Sequence, residues 1–141
     1  MKRLTQSVTN LIRRLPAQMV SAHCDLPCGV YDPAQARIEA LSVFAITTKM
    51  ADNQDPAFHT RALILKEQRA ELVKHHLWVL WTDYFKPEHL EVHPGLHDLF
   101  WRATKQAGET KHVHDVAAAQ KLLDLIDEIA VVFKATKAPV K

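Results

Sequence analysis

The most constraining stretch of this chain is its last regular segment. Val116, Ala119, Leu122, Leu123, Ile126, Ile129, Ala130 and Phe133 recur at helical spacing, while Lys121, Asp124, Asp127 and Glu128 fall on the opposite side. An apolar stripe this continuous predicts the seam of a helical bundle rather than a lone surface helix. The rest of the chain reads the same way. Asp32-Pro33 and Asp55-Pro56 are helix starts, with the aspartate as cap and the proline in the first turn. The first start leads into a helix to about Asp52, with Ile38, Leu41, Ala45 and Thr48 as its expected inner face. The second leads into a helix to about Phe85, with Leu65, Leu72, Val73, His76 and Leu80 inward, stopped by Lys86-Pro87. After the break at Pro94-Gly95, a shorter helix runs through Leu96, Leu99, Phe100 and Ala103 to Gly108. Four helices with short connections predict an all-α, antiparallel four-helix bundle. Three glycines and no Asn-Gly or Gly-Gly turn argue against an all-β fold.

One domain suits 141 residues, and 48% hydrophobic content supports a packed core. No apolar run reaches the roughly 18 residues of a membrane span. The formal net charge of +2 hides an asymmetry. Residues 1–22 hold Lys2, Arg3, Arg13 and Arg14 and no acid, whereas the remainder is mildly acidic. Both signs alternate through the body with no basic stripe interleaved with aromatics, which argues against a nucleic-acid partner. The leader has no uninterrupted apolar core for secretion, because Arg13 and Arg14 interrupt it. Leu4, Val8, Leu11, Ile12 and Leu15 recur at helical spacing, as in a short amphipathic propeptide, against the plainer reading of a frayed tail.

The chemistry concentrates in His23-Cys24-Asp25-Leu26-Pro27-Cys28, which continues as Gly29-Val30-Tyr31 and holds both cysteines of the chain. Two cysteines are too few for a disulfide scaffold. From spacing alone, Cys24 and Cys28 suit a small-loop disulfide, half a zinc site, or a thiolate site for Ni(II) or Cu(II). A cut between Ala22 and His23 frees an α-amine, so that one short hook offers an amine, an imidazole, a main-chain nitrogen and two thiolates.

This hook resembles the mature N-terminus of the nickel superoxide dismutase family, which reads His-Cys-x-x-Pro-Cys-Gly-x-Tyr, and it matches at every fixed position. Trp78–Leu90 and Val116–Asp124 are similar to the same family. The resemblance implies a propeptide over 1–22 and a catalytic four-helix-bundle domain over 23–141, with the hook at 23–31. It implies one nickel ion per subunit, held by His23, Cys24 and Cys28, and disproportionation of superoxide to dioxygen and hydrogen peroxide by Ni(II)/Ni(III) cycling. It also implies a maturation protease and a homohexamer whose neighbouring subunits help enclose the hook. With no membrane span and no secretion signal, a cytoplasmic protein is expected.

The His23 amine, the Cys24 amide nitrogen and the Cys24 sulfur close two adjacent five-membered rings, and Cys28 returns for the fourth corner. Pro27 aids that reversal, Gly29 relieves crowding at the exit, and Asp25 shapes the hook through backbone hydrogen bonds. Tyr31 is expected at the open face of the metal, with a packing role as the alternative. The family further implies Glu39 and Arg69 as the pair that orients the His23 imidazole. Arg69 falls between Leu65 and Leu72, where an unpaired charge is costly, unless it snorkels to a bundle end. His93 and His97 have metal-like spacing but no evident third ligand, so the remaining histidines read as solvated or capping. Trp78, Trp81 and Trp101 are expected in the core or at subunit contacts, and Tyr84 at subunit contacts. The competing function is a non-catalytic bundle that binds zinc or copper, or senses redox state, through Cys-x-x-x-Cys.

Overall fold

The structure, a computed structural model, describes residues 29–137. Its helices are α1 (Ala34–Asp52), α2 (Pro56–Val79), α3 (Pro87–Val92), α4 (Leu96–His112) and α5 (Val116–Lys137), with a π-helical turn, Leu80–Tyr84, closing α2. No strand occurs among the described residues. Helix α1 packs on α2 and α5, and α4 packs on α2 and α5, so the four long helices close a ring in chain order. Short reversals make neighbours antiparallel.

Aspartates start three of the helices. Asp32 Oδ1 accepts from the Ala34 amide at 2.8 Å, Asp55 Oδ1 from Ala57 at 3.0 Å, and Asp115 Oδ1 from Ala117 at 2.9 Å. Each satisfies an amide that the helix itself leaves without a partner.

Helix α5 follows its pattern closely. Ala119, Leu122, Leu123, Leu125, Ile126, Ile129 and Phe133 are buried, each large one worth about 1.5–3 kcal/mol against exposure. Opposite them, α4 buries Leu96, Leu99, Phe100, Ala103 and Ala107.

The expected faces of α1 and α2 are corrected. In α1 the buried stripe is Ala36, Ala40, Val43, Thr47 and Met50, whereas Ile38 and Leu41 are 62% and 42% exposed. Small side chains line the seam and let the backbones approach, which leaves the bulkier pair outside. In α2 the buried positions are Ala62, Lys66, Ala70, Val73 and Leu77, one residue on from the Leu65–Leu72–His76 stripe expected. The shift has a cause in Lys66, which is fully buried. Its aliphatic stem fills a core position, and its Nζ donates to the Val113 carbonyl at 2.6 Å beyond the end of α4. Its contact with His114 Nδ1 is 2.8 Å.

Candidate active site at the hook end of the bundle

His23, Cys24, Asp25, Pro27, Cys28 and the Ala22–His23 junction lie outside the described residues. The site is therefore built from where the chain leaves the hook. Gly29 has φ +69°, the left-handed region that suits glycine. Among the described residues, a Cβ there meets nothing within 4 Å. Backbone conformation by itself therefore calls for glycine; the hook residues expected to crowd it lie outside the described residues.

Tyr31 is half-buried and packs its ring 5.7 Å from that of Tyr84, at 52°. Tyr84 ends the π turn and also meets Phe133 at 4.6 Å and Phe85 at 5.0 Å. Its hydroxyl lies 2.8 Å from Thr136 Oγ1, and the Lys137 ammonium lies 3.5 Å from the Tyr31 carbonyl. The start of α1, the end of α2 and the end of α5 thus meet around Tyr31. Tyr84, Thr136 and Lys137 had no assigned place here from sequence. Tyr84 lies in the family-like segment 78–90; within the subunit it packs, partly buried, against the core, as does Trp81. Trp78 and Trp101 remain 44% and 58% exposed.

Glu39 of α1 and Arg69 of α2 form an ion pair. Arg69 Nη1 donates to Glu39 Oε2 at 3.1 Å and Oε1 at 3.4 Å. The carboxylate side chain is 15% exposed and the guanidinium side chain 39%. Arg69 therefore lies at the edge of the α1–α2 seam rather than inside it, with its charge met by a carboxylate.

Elsewhere, charge is paired across the bundle. Arg37 Nε bonds Asp127 Oδ1 at 2.7 Å, and that hydrogen bond raises the arginine's pKa. Lys111 pairs with Glu71, whose pKa falls through the same hydrogen bond. Burial lowers the pKa of Lys66. That of His114 is lowered by its own burial first, then by the charges of Lys66 and His59. Other histidines serve helix ends: His89 Nδ1 accepts from the Lys86 amide at 3.1 Å, and His59 Nε2 lies 2.5 Å from the Asn53 carbonyl. Among the described residues, no group of three or more His, Cys, Asp or Glu is placed to hold a metal ion. No helix among them is long and apolar enough to cross a membrane.

The fold and the sequence define a small all-α bundle entered through a segment that carries both cysteines. The family profile for nickel-containing superoxide dismutase matches residues 18–137. Superoxide dismutase [Ni] of Streptomyces coelicolor is 59% identical over 122 residues, covering 86% of this chain and 93% of that protein. The enzyme of the same name from Streptomyces seoulensis is 60% identical over the same shares. Among solved structures, native nickel superoxide dismutase superposes with a TM-score of 0.80 at 59% identity, covering 82% of this chain and all of that one. A nickel-containing superoxide dismutase with nickel ligation corresponding to the oxidized state superposes equally well at 60% identity, covering 82% of this chain and 98% of that one. The chain belongs to the nickel-containing superoxide dismutase family. The competing reading, a non-catalytic zinc, copper or redox-sensing bundle, has no support among these relatives.

Proposed function

We propose that this chain is a nickel-dependent superoxide dismutase, cut between Ala22 and His23 by a maturation protease and active through the hook 23–31. Two superoxide ions and two protons give one dioxygen and one hydrogen peroxide. The observation that carries the reading is the segment His23-Cys24-Asp25-Leu26-Pro27-Cys28, leading into a bundle of this family.

The donor set fits nickel. The two thiolates of Cys24 and Cys28, the Cys24 amide nitrogen, and the amine and imidazole of His23 would hold it, a sulfur and nitrogen set that suits Ni(II). One nickel ion per subunit would supply the one-electron redox couple that dismutation needs. The protein's part is to hold that set and its surroundings. Cys24 and Cys28 supply the thiolates, and His23 supplies the amine and the imidazole. Asp25 and Pro27 shape the turn between the cysteines. The Glu39–Arg69 pair fixes a carboxylate with its charge already met, able to orient the His23 ring without drifting. Tyr31, braced on Tyr84, limits access to the open face and holds an anion or water there.

Propeptide removal is supported by the solved native chain, matched along its whole length by only 82% of this one. A homohexamer is what the family resemblance implies, with Ile38, Ile64, Trp101 and Val131, each more than half exposed in the single subunit, as candidate contact residues. A cytoplasmic location is proposed on the leader's sequence, where Arg13 and Arg14 interrupt the apolar residues. The test compares the 141-residue chain with the form starting at His23, both supplied with nickel, by intact mass, metal content and dismutation rate. Only the processed form is expected to turn over. Equal activity in both refutes the amine ligand.

A further inference from the structure

The end of α5 holds a hydroxyl that the proposed reaction does not use. Thr136 Oγ1 lies 2.7 Å from the Phe133 carbonyl and 2.8 Å from the Tyr84 hydroxyl. A threonine hydroxyl has one proton, and a carbonyl has none to give. Thr136 therefore donates to Phe133, and Tyr84 is the donor at the other contact. The phenol's proton is committed to Thr136, and its lone pairs alone remain for other partners. The ring is fixed as well. It lies between Phe133 and Phe85, stacks on His89 at 5.7 Å and 20°, and carries Tyr31 on a further side. Lys137, the next residue, reaches the Tyr31 carbonyl and lies 4.5 Å over the Phe133 ring.

We propose that Thr136 is a positioning residue: by accepting the Tyr84 proton it fixes the phenol against which Tyr31 packs, where the hook joins the bundle. Its substrate chemistry rests on the role given above to Tyr31. Without the Thr136 hydroxyl, the Tyr84 O–H is free to rotate toward another acceptor, and the brace behind Tyr31 loosens. Nickel content is expected to hold, because neither Thr136 nor Tyr84 is among the five proposed donors.

The experiment uses the processed, nickel-loaded protein with Thr136→Val, which removes the hydroxyl at nearly constant shape, and Thr136→Ser, which restores it. The chain has only two tyrosines, so Tyr31→Phe leaves Tyr84 as the sole source of the tyrosine Raman doublet, whose intensity ratio separates donor from acceptor. In that background the ratio should report a donor, change with Thr136→Val and return with Thr136→Ser. Turnover by pulse radiolysis should fall about 10-fold or more in Thr136→Val, in the range of other residues that orient metal-site groups. Nickel content should hold, and Thr136→Ser should recover the rate. The losses from Thr136→Val and Tyr31→Phe should be less than additive, since both act through one brace. Wild-type turnover in Thr136→Val, full additivity, or an unchanged Raman ratio overturns the proposal. Full turnover in Tyr31→Phe alone refutes instead the role of Tyr31.

Discussion

Lys66 offers the sharpest test of how the bundle is held. It is fully buried, and its ammonium is held by the Val113 carbonyl and His114 Nδ1. Lys66→Met keeps most of the stem's packing and removes the charge. A hydrogen bond from a charged donor is worth about 1.5–3 kcal/mol. Relief of the ammonium's desolvation returns part of that, and half-buried Val113 can find water, so the net loss should be about 1–2 kcal/mol at neutral pH. Lys66→Ala also empties the core position and should lose about 2–5 kcal/mol. The pH dependence identifies the cause. Burial places the Lys66 pKa below the ordinary 10.5. Between the lowered value and 10.5 the unfolded chain binds more protons than the folded one, so wild-type stability rises with pH through that window relative to a protein without the group. The Lys66→Met deficit should therefore widen as pH rises from neutral toward 10.5. Urea unfolding followed by helical circular dichroism measures it. A variant as stable as wild type at neutral pH would show that the ammonium is not what holds the α4–α5 turn, and a deficit flat across the window would show that burial does not lower the Lys66 pKa.

Gly29→Ala forces a left-handed backbone at φ +69° at a cost of about 1–2 kcal/mol; nickel affinity of the processed chain should fall while helix content stays constant, and unchanged affinity would mean the turn is not used when metal binds. Glu39→Gln and Arg69→Ala should each slow dismutation about 10–100-fold with nickel retained; wild-type rates in both would make the pair purely structural, and nickel loss in step with activity would assign it to holding the hook. Cys24→Ser or Cys28→Ser should abolish turnover without changing the circular dichroism spectrum, since the described core contains neither residue; loss of helix would show that the hook contributes to folding.

How much of this was legible in the sequence depended on which atoms carry the burial. Helix α5 announces itself because Leu122, Ile126, Ile129 and Phe133 are large and lie on one stripe. Helix α1 does not, because its seam is made by Ala36 and Ala40, whose value lies in letting backbones approach. A pattern weighted by large side chains selects Ile38 and Leu41, which point outward. Lys66 misleads in a different way, since its charge hides a stem that packs like an apolar residue. Asp32 and Asp55 were readable as caps because proline follows each; Asp115 makes the same hydrogen bond but is followed by Val116. The Glu39–Arg69 pairing came from family resemblance. Spacing alone gives Arg69 a need for a carboxylate but cannot choose among those on a neighbouring helix.

The meeting of Tyr31 with Tyr84, Thr136 and Lys137 was least legible, and the π turn explains why. Leu80 and Phe85 are both buried, at 3% and 8% exposure. In a regular α-helix, residues five apart are offset by about 140° and do not share a face. The Phe85 amide instead bonds the Leu80 carbonyl at 3.3 Å, closing a wider turn that brings the two side chains onto one side. A straight helix to Phe85, as periodicity suggests, would put one of them outside the core. The extra residue in that turn also resets the direction of Tyr84, which then meets Phe133 across the bundle and Tyr31 at the chain's entry. The same widening that rescues core packing at the end of α2 thus builds the wall against which Tyr31 packs. A fold that must end a helix, seal a core and brace the chain's entry to the bundle within a few residues meets all three needs with one inserted residue.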